Sequence, residues 1–247
     1  MQWNEIKEKQ YNYDKDASYD TWEYLYKKVY SKIDIFKNNF DFDKPSISGN
    51  KYKRIMIKAK EDSQLKKNYK DLLQKKGVPI DKMKCEFLVS GDTDFNIEEE
   101  CHRFDNYSLM PVTGSLNNEK GRTNGEVEDI FPIYIQKLPE LIDNPTSYNG
   151  GYKEELKEHA KNIVICARQA YWSLFGNNIE TYFLNTYLYG VNNKDEIYKE
   201  AMELFQELLK YEKDKDETKI ANDFWNIRRQ ILKSKYNLNL NEAGKPL

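Results

Sequence analysis

"KEELKEHAKNIVICARQAYWSLFG", Lys153 to Gly176, decides the fold class. Leu156, Ile163, Val164, Ala167, Tyr171 and Leu174 recur at helical spacing and line one side, and Gly176 follows as a stop. An apolar stripe of this length predicts a long amphipathic helix that forms one wall of a core. "IETYFLNTYLYG" (179–190) follows closely as a further helical stretch. "KDEIYKEAMELFQELLKYE" (194–212) then places Ile197, Ala201, Leu204, Leu208 and Tyr211 on one face. "KDKDETK" (213–219) is a solvated charge run, a linker or a helix start. "IANDFWNIRRQILKSKY" (220–236) predicts the closing helix, and "NLNLNEAGKPL" (237–247) a loose tail.

Working back toward the N-terminus, "NPTSYNGGY" (144–152) reads as a loop. "EVEDIFPIYIQKLPELI" (126–142) carries Ile130, Tyr134, Ile135, Leu138 and Leu141, with Pro132 tolerated only in a first turn. Two runs further upstream have a different character. "MKCEFLVSGD" (83–92) is a compact apolar run ending in a turn signal, and "NYSLMPV" (106–112) offers a second strand. "SQLKKNYKDLLQKKG" (63–77) predicts a shorter helix through Leu65, Tyr69, Leu72 and Leu73. "NNFDFDKPSISGNKYKR" (38–54), broken by Pro45 and Gly49, reads as a loop or short extended segment. The first helix is expected within 16–36, with Trp22, Leu25, Val29, Ile33 and Phe36 on one face and Ser18 or Asp20 as N-cap. The expected fold class is α+β, a predominantly helical single domain over 1–247 with one small β-hairpin or sheet around residues 84–113. N-terminal helices and the sheet occupy 18–125, the helical part 126–236, and the tail 237–247.

Composition limits the function classes. The 39 Lys+Arg balance 41 Asp+Glu, and the pI is near 5.9, so overall charge does not point to nucleic acid. Three scattered cysteines, Cys85, Cys101 and Cys166, make neither a disulfide framework nor a CxxC metal site, and suit a reducing compartment. The first residues hold no apolar signal region, and no window has the apolar length of a membrane span. A cytoplasmic location without membrane contact is the expectation. The 19 tyrosines carry apolar area with a polar tip; most fall at helix-periodic positions, and any on the surface would suit partner recognition.

One stretch invites a chemical reading: "ECHRFDNYSLMPVTGSLNNEKGR", Glu100 to Arg122. His102, Asn106-Tyr107-Ser108-Leu109-Met110, Asn117 and Lys120 resemble the second half of an HNH (ββα-metal) endonuclease motif. The resemblance implies that Asn106 holds a loop in place and Asn117 helps bind a divalent metal such as Mg²⁺. Asp92 or Asp94, at the end of the preceding strand, would complete the ligands, since hard oxygens suit that ion. The family's first half supplies a histidine base at that strand end, and none stands here, so His102 or a carboxylate from elsewhere would take the role. The competing reading is a turn, Gly91-Asp92-Thr93-Asp94, whose carboxylates cap backbone amides. Across a longer span the chain resembles a bacterial family of unknown function. The resemblance rests on Phe40-Asp41-Phe42, the helix Tyr69 to Gln74, Glu86 to Asp92, the loop after Pro111, Ser173-Leu174-Phe175-Gly176 and Asp223 to Ile231; it implies a fold and no activity.

Lys120 and Arg122, together with Trp225, Arg228 and Arg229 on the final helix, are the candidate nucleic-acid contacts, through charge, stacking and cation–π geometry. The alternative for Arg228 and Arg229 is an ion-paired structural helix. With no complete catalytic set, the leading expectation is a non-catalytic interaction protein, of an accessory, mobile-element or defence kind, binding a protein or nucleic acid without a cofactor. The alternative is a divergent metal-dependent HNH-like endonuclease using Asp92, Asp94, His102, Asn106 and Asn117.

Overall fold

The computed structural model describes residues 26–43, 46–48, 54–78, 86–90, 110–113, 131–143, 154–212 and 217–238. Helix predominates. After a 3₁₀ turn at Tyr30–Lys32, the helices are α1 (Asp34–Asn39), α2 (Gln64–Lys75), α3 (Phe131–Asp143), α4 (Glu154–Ser173), α5 (Ile179–Thr186), α6 (Tyr198–Leu209) and α7 (Glu217–Tyr236). The strands are β1 (Ser46–Ser48), β2 (Arg54–Lys58), β3 (Glu86–Ser90) and β4 (Met110–Thr113).

The four strands pair antiparallel in chain order, with Ile47 opposite Ile55, Ile57 opposite Phe87, and Leu88 opposite Val112. The expected β3–β4 pair is therefore part of a larger meander. The segment expected as a loop or short extended segment around Pro45 and Gly49 contributes β1, and Arg54–Lys58 contributes β2. The reason is pairing: three- to five-residue strands have little preference of their own, and β3 supplies the hydrogen-bonding edge for β2, which in turn supplies that for β1. An isolated bridge between Phe40 and Ala59 ties the sheet to the end of α1.

The first predicted helix is corrected by a break. Val29, Ile33 and Phe36 are buried as their spacing implies, but Ile33 is extended (φ −82°, ψ 122°) and separates the 3₁₀ turn from α1. Its side chain lies against Gly190, where a β-carbon would come within 3.1 Å of Ile33 Cγ1. Packing against a distant turn thus overrides helix propensity at one residue.

Helix ends are closed by tertiary donors as well as local caps. Ser63 accepts from the Lys66 amide at the start of α2, and buried Asn39 accepts from Leu65 N at 2.9 Å while donating to Ile35 O. Gln136 on α3 donates to Leu208 O and Tyr211 O, satisfying the end of α6. Arg168 on α4, itself buried, donates from Nη1 to Leu141 O at 2.6 Å, near the end of α3. That placement also sets a positive charge at the negative end of a helix.

The core is aromatic. Tyr30, Phe36, Tyr171, Phe175, Tyr182, Phe183, Tyr187, Phe205 and Phe224 are buried and meet ring to ring, for example Phe175–Tyr182 at 5.0 Å and Phe183–Phe205 at 5.2 Å. Tyr26, Tyr69, Tyr189 and Tyr211 join this interior. These tyrosines serve the core, the reading that their helix-periodic spacing favours.

Candidate functional site

Most residues singled out in the sequence fall outside the described residues: Asp92, Asp94, His102, Asn106, Asn117, Lys120 and Arg122. The strand ends on either side of Asp92, Asp94, His102 and Asn106 are described, and Ser90 pairs with Met110. Trp225 lies on α7, its side chain outside the description. Arg229 is half-buried. Among the described residues, no three His, Cys, Asp or Glu side chains are grouped to hold a metal ion.

Arg228 requires a correction. It was expected on an exposed basic face, and it has 0 % of its surface exposed. The α7 stripe explains why: Phe224, Ile227, Ile231 and Leu232 are all buried, and residue 228 stands four positions after Phe224 and three before Ile231. Spacing therefore placed it in the core, although its residue type argued for the surface. Its Cζ lies 4.8 Å from the centroid of the Tyr189 ring and 5.2 Å from that of Phe224. Among the described residues, Nε, Nη1 and Nη2 make no well-aligned hydrogen bond.

The contrast with Arg168 shows how unusual this is, because that guanidinium meets a helix-end carbonyl. A desolvated cation–π contact contributes about 2 kcal/mol, whereas a buried, unpaired charge costs several kcal/mol. The two rings do not offset the burial of Arg228. Burial also pushes the Tyr189 phenol upward, while the Arg228 charge beside it and a side-chain hydrogen bond with that guanidinium pull the other way. Burial raises Tyr30 well above the ordinary tyrosine range as well, with Tyr189 adding to the effect and Arg228 opposing it.

Tyr189 reaches this position through a left-handed turn, with φ 51° at Tyr189 and 72° at Gly190. Such a conformation costs an aromatic residue about 1–2 kcal/mol and persists where surroundings hold it. The end of α7 holds it from outside. Tyr236 Oη donates to Tyr189 O at 2.6 Å, and Lys235 Nζ donates to Gly190 O at 2.6 Å. Lys235 also pairs with Asp195 at 2.8 Å. Burial alone would raise the Asp195 carboxyl, but the Lys235 hydrogen bond, the Asn192 amide and the Lys235 charge outweigh it and hold it below the ordinary value.

Outside this clamp runs a groove between α7, the preceding turn and α6. One part, about 740 Å³, is lined by residues including Val191, Asp195, Ile197, Ile231 and Lys235. It continues, sharing Glu200 and Gln230, into a part of about 370 Å³. There Glu200, Glu203, Glu207 and Asp223 face a single lysine, Lys219. Lys219 is already engaged by Asp223 at 2.8 Å and Glu207 at 3.9 Å. Sequence reasoning missed this feature. Its signal was present in the spacing of Glu200, Glu203 and Glu207, which helical geometry places on one face of α6.

Neither a family model, nor a curated protein, nor a solved structure matches the chain. No helix among the described residues is long and apolar enough to cross a membrane.

Proposed function

We propose that the protein is a non-catalytic interaction module whose α6–α7 groove receives a basic segment of a protein partner. The observation that supports this reading is the carboxylate excess in the smaller part of the groove: four acidic side chains face one lysine that is already paired. Such a field attracts lysine- and arginine-rich surfaces and repels a phosphate backbone. Arg228, one of the expected nucleic-acid contacts, lies in the interior.

The test is binding of a defined Lys/Arg-rich helical peptide and of a DNA duplex, each followed by fluorescence anisotropy. Charge reversal at Glu200, Glu203 and Glu207 should weaken peptide binding by at least tenfold, and added salt should weaken it in the unmodified chain. Duplex binding tighter than peptide binding, unaffected by the reversal, would overturn this reading.

The endonuclease alternative draws on one observation: the Ser90–Met110 pairing brings together the strand ends that flank Asp92, Asp94, His102 and Asn106 in the chain. Calorimetric titration with Mg²⁺, Mn²⁺ and Zn²⁺ decides it. A saturable site lost in His102→Ala supports it, and absence of binding retires it.

A further inference from the structure

We propose that the basic segment received by the α6–α7 groove is the outer face of α2 in a second copy of this chain. The inference rests on the reading of the groove as a site for a basic segment, and it names the occupant. α2 sends Leu65, Tyr69 and Leu73 into the core and leaves Lys67, Lys70 and Lys75 exposed on its outer side. Asp71 is the only acidic residue of the helix. Its remaining lysine, Lys66, is paired with Glu61. α2 is thus a lysine-bearing helix already fixed by its own fold, so binding does not have to order its backbone.

The two faces match in charge and in length. Glu200, Glu203 and Glu207 span about 10.5 Å along α6, and Lys67, Lys70 and Lys75 span about 12 Å along α2. The groove already accepts ammonium groups of this chain: Lys219 meets Asp223 at 2.8 Å and Glu207 at 3.9 Å, and Lys199 meets Glu203 at 3.7 Å. These are exposed pairs, which contribute little and can exchange for a lysine of the second copy. Totals of 39 Lys+Arg and 41 Asp+Glu leave little net repulsion between copies.

Within one copy the two faces are held apart. α2 packs on α4 and α1, whereas α6 packs on α3, α5 and α7. Among the described residues, none from α2 lines either part of the groove. The lysines of α2 therefore reach the carboxylates of α6 and α7 from another molecule. Because the contact joins two different faces, it is heterologous, and repetition builds rings or open chains rather than a two-fold dimer.

The experiment is analytical ultracentrifugation of the full chain over a range of concentrations. At low salt the weight-average mass should rise with concentration above the 29.4 kDa of one chain, and high salt should return it to that value. Two variants reverse one face each: Lys67→Glu with Lys70→Glu and Lys75→Glu, and Glu200→Lys with Glu203→Lys and Glu207→Lys. Each should weaken association on the order of tenfold or more. An equimolar mixture of the two should regain it, because every reversed face then meets its opposite. A single-chain mass at every concentration overturns the proposal, as does association that survives either reversal or a mixture that stays monomeric. Circular dichroism checks that both variants fold; should one fail, glutamine at the same three positions replaces it, and association unchanged by that neutralisation overturns the proposal. A Lys/Arg-rich peptide that binds a chain with no self-association overturns the second copy and leaves the groove's basic preference standing. Absence of both peptide binding and association ends that reading as well.

Discussion

Gly190→Ala should destabilise the protein far more than Gly176→Ala, although both glycines have left-handed backbones, with φ 72° and 65°. The conformation costs an alanine about 1–2 kcal/mol at either position. About 0.4–1 kcal/mol of that is recovered because alanine restricts the unfolded chain. At Gly176 nothing among the described residues lies within 4 Å of an added β-carbon, so the net cost stays near 1 kcal/mol. At Gly190 the same atom would sit 3.1, 3.2 and 3.3 Å from Ile33 Cγ1, Cγ2 and Cδ1. Ile33 is buried between the 3₁₀ turn and α1 and cannot withdraw freely. Overpacking of this kind adds about 1–3 kcal/mol, for a total near 3 kcal/mol. For a chain of this size that lowers the melting temperature by roughly 6–12 °C, against about 2–4 °C for Gly176→Ala. Urea unfolding followed by circular dichroism, read as the midpoint at constant slope, measures the difference. Ile33→Ala removes the three clashing atoms, so the double variant should lose less stability than the two single losses summed. Equal losses for the two glycine variants, or strict additivity with Ile33→Ala, would refute the packing of the Gly190 turn against Ile33.

Asn39→Leu removes the acceptor for Leu65 N and should cost about 1–3 kcal/mol, read by the same unfolding curves. An unchanged midpoint would mean that Ser63 alone closes the start of α2. Arg168→Met should destabilise by about 2 kcal/mol, since the Leu141 carbonyl loses its charged donor. Arg228→Met should be neutral or stabilising, because it removes a buried charge that no carboxylate pairs among the described residues; a large loss there would show that its contacts with Tyr189 and Phe224 sustain it. The Asp195 carboxyl is held below its ordinary value, so the stability it confers is present above the ordinary carboxylate range and disappears as pH falls through its folded value. The melting-temperature gap between the unmodified chain and Asp195→Asn should therefore close on acidification from pH 6 to pH 3, and a constant gap would exclude the Lys235 pairing as its source.

Periodicity made the helical half legible, because an amphipathic helix repeats its signal over many residues. The stripe of Lys153–Gly176 announced α4, and Ile197, Ala201, Leu204 and Leu208 marked the face that α6 packs inward. β3 and β4 were legible as compact runs, whereas β1 and β2 are too short to declare themselves and depend on a neighbouring edge. Caps divided in the same way. Ser63 is a local signal, whereas Gln136 at the end of α6 and Arg168 near the end of α3 meet their carbonyls across long stretches of chain.

The candidate site was less legible, and for one reason. The sequence by itself determined the helix faces, including the position of Arg228 in line with Phe224 and Ile231, because spacing along one helix is a local property. Only the tertiary structure decided that this position faces Tyr189 across a left-handed turn, that Lys235 and Tyr236 hold that turn, and that the acidic face of α6 meets α7 in a groove. Those relations join residues about 40 positions or more apart in several cases, such as Lys235 with Asp195 and Tyr236 with Tyr189. They depend on how helices dock, which is governed by side-chain volumes across the whole core rather than by any one segment.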